Sequence, residues 1–342
     1  MTSHAPKVRG RLAPSPTGHL HLGNAWAFLL AWLSARSADG GGGEIVLRME
    51  DIDPDRSRAH YAEDIIRDLR WLGLDWDEGP DIGGPHGPYT QSERLPAYAR
   101  ALASLEASGH VYPCFCTRKE LRSLASAPHA PFSPHGLAGD GSPIYPGTCR
   151  QLSPAERSQR LAQRLAQRRP PCLRLACPDD SLAFTDLIAG PQRFSLTDCG
   201  GDFALRRSDG VYAYQLAVVL DDIAMGITQI VRGDDILTST PRQLLLHRLF
   251  NAPPPAYAHL PLILDHEGER LAKRHASLTL ATLRDQGVSP LAITGYLAHQ
   301  AKLLPGPQPT HPRDLLPHFD LARIPRQPVR LPANIEEVLL RV

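Results

Sequence analysis

The segment Gly18-His19-Leu20-His21-Leu22-Gly23-Asn24, preceded by Arg11-Leu12-Ala13-Pro14-Ser15-Pro16-Thr17, is composed of residue types suited to holding phosphate. Gly18 and Gly23 carry no β-carbon, so backbone amides there can approach an anion closely, while Pro14 and Pro16 keep the preceding turn extended. The pattern reads as strand, turn and helix start. In a parallel α/β sheet that junction lies at the carboxyl edge of the strand, where unpaired helix amides and the positive dipole end attract phosphate. His21 and Asn24 would stand there, with His21 donating to phosphate oxygens. Far downstream, Arg270-Leu271-Ala272-Lys273-Arg274 places three cations in a loop after an apolar strand. Alone, His-Leu-Gly-Asn recurs by chance and a Lys-Arg pair is usually solvated surface. Together the two segments point to a nucleotide.

A second constellation is built on sulfur. Of six cysteines, Cys114 and Cys116 form a Cys-x-Cys pair, and Cys149 returns after a Pro/Gly-rich stretch with Tyr145 four residues before it. Thiolates at this spacing suit zinc, which takes four ligands in a tetrahedron. Three fourth ligands are open: the Tyr145 phenol, one of His129 and His135, or water. Phenolate is a rare zinc ligand, so chemistry alone ranks a histidine first. The alternative is a metal-free loop with ordinary core cysteines. Cys172, Cys177 and Cys199 read as small buried residues.

The elements that must position these groups follow from periodicity. A strand is expected from Val8 to Ala13, an apolar helix from about Asn24 to Arg36, a loop from Asp39 to Gly43 and a second strand from Glu44 to Met49. That strand ends in Glu50-Asp51-Ile52-Asp53 at the ligand edge, where Glu50 could bind an ammonium group. Asp53 or Asp55 would cap a helix from Ser57 to Leu72. Residues 126–143 read as a long loop, and a helix from Pro154 to Arg169 follows. There Arg157, Arg160, Arg164 and Arg168 recur at three- and four-residue steps, as either a nucleic-acid footprint or a solvated face. Short strands are expected near Phe184 to Leu205. The apolar runs Tyr212 to Asp222 and Ile230 to Asp235 read as core strands or buried helix ends feeding the same cleft, and the Pro-rich tail after Lys302 as helical pieces joined by bends. The 342 residues exceed one typical domain, and the formal net charge of +1 leaves any nucleic-acid footprint local. No run approaches the roughly 20 apolar residues of a membrane span, so a cytoplasmic protein without membrane contact is expected.

The first segment resembles the "HIGH" signature of class I aminoacyl-tRNA synthetases, and Arg-Leu-Ala-Pro-Ser-Pro-Thr-Gly is similar to the glutamyl and glutaminyl branch. Gly87-Pro88-Tyr89-Thr90-Gln91-Ser92-Glu93-Arg94, the Tyr214 and Arg232 blocks and His259-Leu260-Pro261-Leu262 follow in the order of glutamyl-tRNA synthetases, over about Arg9 to Leu283. Three features are similar to the family's truncated paralogues, which lack an anticodon-binding domain: the short remainder after the second signature, the Cys, Cys, Tyr, Cys set, and Val218 where full-length enzymes commonly carry Asn.

The resemblance implies an α/β fold: a Rossmann-like catalytic domain (residues 1–107 and 187–257) split by a zinc-containing, acceptor-binding insertion (108–186), with a short helical stem region carrying the second signature (258–342). It implies ATP with Mg2+, L-glutamate, and transfer to the queuosine of tRNA(Asp) by a monomer. It also implies one structural Zn2+ on Cys114, Cys116, Tyr145 and Cys149. Glutamate would be held by Arg11, Ala13, Ser15, Glu50, Tyr214 and Arg232. Guanidinium forks match its carboxylates, which makes Arg11 and Arg232 candidates on chemistry as well. ATP would meet His21, Gly23, Asn24, Arg270 and Lys273, with His21 and Lys273 catalytic. Relative to the family's "KMSKS" signature, Arg270 replaces the first lysine and Ala272 the serine. Two rivals stay open: a short glutamyl-tRNA synthetase charging the 3′ end of tRNA(Glu), and a non-catalytic zinc-containing tRNA-binding protein.

Overall fold

The computed structural model describes residues 7–38, 42–117, 119–121, 144–271 and 276–342. Lys273, His129, His135 and the loop at 126–143 therefore lie outside the described residues. Strand β1 (Arg9–Leu12) runs through the Pro/Gly turn into helix α1 (Leu22–Arg36) and returns as β2 (Glu44–Leu47), pairing parallel with β1 in the register Arg11↔Val46. Helix α1 begins two residues before the expected Asn24 and is buried on most of its circumference, with Trp26, Leu30, Trp32 and Leu33 nearly without solvent contact. Such a helix belongs in the middle of a domain. Gly10 allows it to lie close on β1, since a β-carbon there would stand 2.9 Å from that of Ala35.

Helix α2 (Ala59–Trp71) starts later than Ser57, and neither Asp53 nor Asp55 caps it: its N-cap is Arg58, without a side-chain cap. Asp53 instead pairs with Arg207 at 2.8 Å. Helix α3 (Leu95–Ala107) leads to β3 (Val111–Cys114) and the cysteine region, and helix α4 (Pro154–Ala166) follows, ending before Arg168. A three-stranded antiparallel sheet, β3-β4-β7, is completed by β4 (Cys172–Leu175) and β7 (Ala204–Arg206), with the hairpin β5 (Ser181–Asp186) and β6 (Gly190–Ser195) between them in sequence. Of the two later apolar runs, one is helix α5 (Tyr214–Ala224) and the other is β8 (Gln229–Gly233). Helix α6 (Thr240–Leu249) then returns the chain to β9 (Ala256–Leu260), parallel to β8 in the register Arg232↔His259. The two parallel pairs meet at Thr228, whose N–H donates to the Arg9 carbonyl at 2.9 Å.

The tail carries β10 (Ile263–Leu264), α7 (Leu280–Asp285), α8 (Pro290–Gln300), β11 (Val329–Arg330) and α9 (Ile335–Arg341), joined by 3-10 turns as the proline density implies. One large apolar cluster spans α1, α2, α8 and α9, while a second lies under α3, α5 and α6. Among the described residues, no helix is long and apolar enough to cross a membrane.

Candidate active site

The chemistry-bearing side chains gather where the parallel strands end. Arg11 stands near the carboxyl end of β1, Glu50 just beyond β2, and Arg232 and His259 opposite each other near the ends of β8 and β9. This is where a parallel sheet leaves a crevice for ligands. Under it lies a buried ionic network. Arg48, with no solvent exposure, donates to Asp222 at 2.8 Å and to Glu50 at 3.0 Å, and its Nε lies 3.7 Å from Asp221. Asp221 also accepts from Arg94 at 2.6 Å, Gln91 at 2.8 Å and the Tyr98 hydroxyl. Arg11 Nε lies 3.2 Å from Asp222, an ionic contact without hydrogen-bond alignment. Three guanidiniums thus face three carboxylates, which is how buried charges persist at all. Burial pushes the Glu50 carboxyl up from its ordinary range, against the pull of Arg48 and Arg11.

Arg232 differs from these three. It is buried, and its guanidinium donates only to neutral acceptors: His259 Nε2 at 3.0 Å, Gln243 Oε1 at 2.8 Å and Thr240 Oγ1 at 2.9 Å. It also lies over the Tyr257 ring at 5.2 Å, a cation–π contact. Among the described residues no carboxylate pairs with it directly. Because His259 Nε2 accepts from Arg232, its proton sits on Nδ1, which donates to Asp186 at 2.6 Å. Burial lowers the His259 pKa, opposed by the Asp186 hydrogen bond, so the neutral ring is the folded form near neutral pH. Burial pushes the Asp186 carboxyl up, but the bonds from His259 and from the Ala189 and Ile188 amides outweigh it and hold it below its ordinary value. A second chain runs from Arg232 through Gln243 to Gln215 at 3.0 Å, beside Tyr214 at the start of α5.

The first signature is organised around His21. It is the N-cap of α1: its Nδ1 accepts from the Gly23 amide at 3.1 Å, and its own amide donates to Asn24 Oδ1 at 3.0 Å. With Nδ1 accepting, the neutral imidazole carries its proton on Nε2. Gly23 suits this packing, since a β-carbon there would stand 3.0 Å from the His21 ring, a tight contact that the ring would have to shift to relieve. The second signature is anchored beside it. Arg270 bridges Leu264 and pairs with Asp235 at 2.6 Å, the Leu271 side chain reaches toward Gly23, and Thr279 bridges His21. The stretch holding Lys273 is therefore bounded by Arg270 on the Arg232 block and Thr279 on the first signature.

A cavity of about 500 Å3 opens over this floor, lined among others by Ser15, Glu50, Asp53, Gln91, Arg207 and Tyr214. Tyr214 forms part of its wall. Desolvation of the phenol raises the Tyr214 pKa although the residue as a whole keeps 36% of its exposure, and the charges that reach the phenol are Arg232, Glu50, Arg11 and Asp222. Ala13 and Ser15 lie on the turn whose Pro14 carbonyl accepts from the Glu50 amide at 2.9 Å.

Cys114, Cys116 and Cys149 present sulfurs all within 4.8 Å of one another. Hydrogen bonding from Cys116 and Cys149 pulls the Cys114 thiol pKa well down. The Cys116–Cys149 separation is 3.6 Å, and the Tyr145 hydroxyl lies 3.5 Å from Cys114. Zinc–sulfur bonds of about 2.3 Å and a zinc–oxygen bond of about 2.0 Å give tetrahedral edges of about 3.8 and 3.5 Å. These two edges match those of a tetrahedral ion, and the Cys149 amide donates to the phenol oxygen at 2.8 Å. Cys177 and Cys199 are buried as expected, whereas Cys172 is half-buried, opposite Cys114 on β4.

Residues 7–306 match the family model described as tRNA synthetases class I (E and Q), catalytic domain. The chain belongs to this family. As in other members, the catalytic chemistry of this class I synthetase is that of a ligase. It is 58% identical over 328 residues to a glutamyl-Q tRNA(Asp) synthetase of Nitratidesulfovibrio vulgaris, covering 96% of this chain and 97% of the relative. It is 44% identical over 292 residues to glutamate–tRNA ligase 2 of Acidithiobacillus ferrooxidans, covering 85% of this chain and 57% of that protein. A glutamate tRNA ligase crystal structure from Elizabethkingia meningosepticum, in complex with its amino acid, superimposes with TM-score 0.79 at 29% identity, over 97% of this chain and 68% of that one.

Within this class I synthetase, Arg11, Glu50, Tyr214 and Arg232 converge, and His21, Gly23 and Asn24 form one turn beside Arg270. Sequence reasoning missed Arg48, Arg94, Gln243 and the Asp186–His259 pair. Arg48 alone left a trace: a charge inside the apolar run Ile45-Val46-Leu47-Arg48-Met49 demands a buried partner.

Proposed function

We propose that this synthetase activates L-glutamate with ATP and transfers it to the queuosine of tRNA(Asp). The observation that carries the activation step is Arg232, a buried guanidinium that among the described residues has only neutral partners, and whose charge, like that of Glu50, reaches the Tyr214 phenol at the strand ends. A substrate with carboxylates and an ammonium group complements that pair. Glutamate's α-carboxylate is already an anion, so attack on the α-phosphate needs no general base, and positioning and charge stabilisation supply the rate. Arg11, Ala13 and Ser15 line the amino-acid side, Glu50 receives the ammonium, and Tyr214 and Arg232 close the pocket. His21 Nε2–H, Gly23 and Asn24 serve the phosphates, with Arg270 at the loop's edge and Lys273 meeting charge on the departing pyrophosphate. Mg2+ accompanies ATP. Cys114, Cys116, Cys149 and Tyr145 would hold Zn2+, which would brace the insertion.

The acceptor rests on the 58% identity across nearly the whole of a glutamyl-Q tRNA(Asp) synthetase, against 57% coverage of a glutamate–tRNA ligase. The test is labelled-glutamate transfer to queuosine-containing and queuosine-lacking tRNA(Asp) and to tRNA(Glu), alongside glutamate-dependent ATP–pyrophosphate exchange. Transfer confined to the first substrate is expected. Charging of tRNA(Glu) would favour a short glutamyl-tRNA synthetase, and absence of exchange would favour a binding protein.

A further inference from the structure

Tyr257 carries a polar atom that the fold itself does not use. The residue is 2% exposed, and its hydroxyl has no hydrogen-bond partner among the described residues. Two guanidinium nitrogens of the same floor, Arg11 Nε and Arg48 Nε, also lack an aligned acceptor, but each lies near a carboxylate, 3.2 Å from Asp222 and 3.7 Å from Asp221. Proximity to an opposite charge serves a cation; a neutral hydroxyl is satisfied only by a hydrogen bond. Leaving one buried and unpaired is costly, and phenylalanine would fill the same space without that cost. The neighbours would accept a plain ring: Val46, Met225 and Ile230 share an apolar cluster with Tyr257, and Phe184 meets it edge-on at 6.1 Å. Packing therefore explains the ring and not the oxygen.

The oxygen is explained by where it stands. Side chains alternate across a strand, so in the register Ile230↔Tyr257 and Arg232↔His259 these four residues share one face of the β8–β9 pair. Arg232 lies over the Tyr257 ring at 5.2 Å, and the His259 ring stacks on it at 6.1 Å and 11°. Burial raises the hydroxyl pKa, which keeps the proton on, and the groups whose charges reach it are Arg232, Asp222, Arg11 and Tyr214. Three of these are side chains assigned above to glutamate. Arg232 uses one N–H each from Nε, Nη1 and Nη2 on His259, Gln243 and Thr240, which leaves two of its five for a ligand. We propose that the Tyr257 hydroxyl donates a hydrogen bond to the glutamate carboxylate held by Arg232, as a further substrate-binding group. This rests on the glutamate pocket proposed above and adds a neutral donor to it. A hydroxyl meets a carboxylate lone pair without adding a second cation, and a ring already fixed by Arg232, His259 and Phe184 loses little freedom when the ligand arrives.

The test is Tyr257→Phe, read by ATP–pyrophosphate exchange at varied glutamate and at varied ATP, and by thermal melting with and without glutamate. Loss of one donor to a charged acceptor should raise the glutamate KM about 10- to 150-fold while the ATP KM holds. At equal glutamate concentration the variant should gain less melting temperature than the parent. Without glutamate it should melt no lower than the parent, because the group removed had no partner in the fold. A glutamate KM within about twofold of the parent's would show that the hydroxyl does not meet the substrate, and would overturn the proposal. So would a melting loss without glutamate, since the hydroxyl would then serve the fold. Absence of exchange in the parent would instead sink the activation reading, and glutamate-dependent melting of parent and variant would still decide the role of the hydroxyl.

Discussion

Replacing Asp186 by Asn should cripple glutamate use although two residues, His259 and Arg232, stand between Asp186 and the proposed ligand. Asp186 Oδ1 accepts three backbone amides, from Ile188 at 3.0 Å, Ala189 at 2.8 Å and His259 at 3.2 Å, while Oδ2 accepts the His259 Nδ1 proton at 2.6 Å. In the variant the amide oxygen must keep serving the three N–H groups, which turns the NH2 toward Nδ1. His259 then has to accept at Nδ1 and carry its proton on Nε2, 3.0 Å from the Arg232 Nε–H. Two donors face each other in a buried site. A buried polar group left unsatisfied costs about 1–3 kcal/mol, so if Arg232 shifts to escape, the glutamate KM should rise about 5- to 150-fold. ATP–pyrophosphate exchange at varied glutamate and at varied ATP separates the effects: the ATP KM should hold while the glutamate KM climbs. A variant that folds normally with the parent's glutamate KM would refute the tautomer argument.

Three further outcomes are expected. Gly23→Ala places a β-carbon 3.0 Å from the His21 ring; it should raise the ATP KM several-fold with little change for glutamate, and melting should fall by no more than a lost cap's roughly 1 kcal/mol. Arg48→Met leaves Glu50 and Asp222 short of their buried partner, and urea unfolding should show about 3–5 kcal/mol of lost stability; a loss below about 1 kcal/mol would mean Arg11 and Arg94 suffice. Chelation should release one zinc per chain by elemental analysis and depress transfer to tRNA more than exchange, because the cysteine cluster lies in the insertion; Cys149→Ser should reproduce this.

What could be read in advance depended on how local each signal was. The junction from Arg11 to Asn24 was legible because Pro and Gly fix backbone shape within a few residues, and the Cys-x-Cys spacing because a metal site must gather thiols. The start of α2 departs from the local signal because Asp53, a good local cap, is claimed by Arg207, 154 positions away. The two apolar runs after Tyr212 were ambiguous for the usual reason that buried strands and buried helices look alike when short. The pair Asp186 and His259, 73 residues apart, gives no periodic or compositional cue. It exists only once β5 is laid beside β9.

In the pocket proposed above, the same network would favour an acid over its amide. Arg11, Arg48 and Arg94 share Glu50, Asp221 and Asp222, so their charges close among themselves before a ligand arrives. Among the described residues Arg232 is left to neutral acceptors, and its link to a carboxylate passes through the neutral His259 ring. On the binding mode proposed above, a dicarboxylate carrying one ammonium group would add a net negative charge, compensating Arg232 while Glu50 meets the ammonium. Glutamine adds none. If Arg232 meets the side-chain carboxylate, glutamine would leave the guanidinium cut off from water with a neutral amide in place of that anion, a penalty of several kcal/mol in a desolvated site. Discrimination of at least two orders of magnitude in the exchange kcat/KM is the consequence. Arg232→Gln should erase that preference rather than merely lower activity, whereas equal losses for both amino acids would show that Arg232 only shapes the pocket.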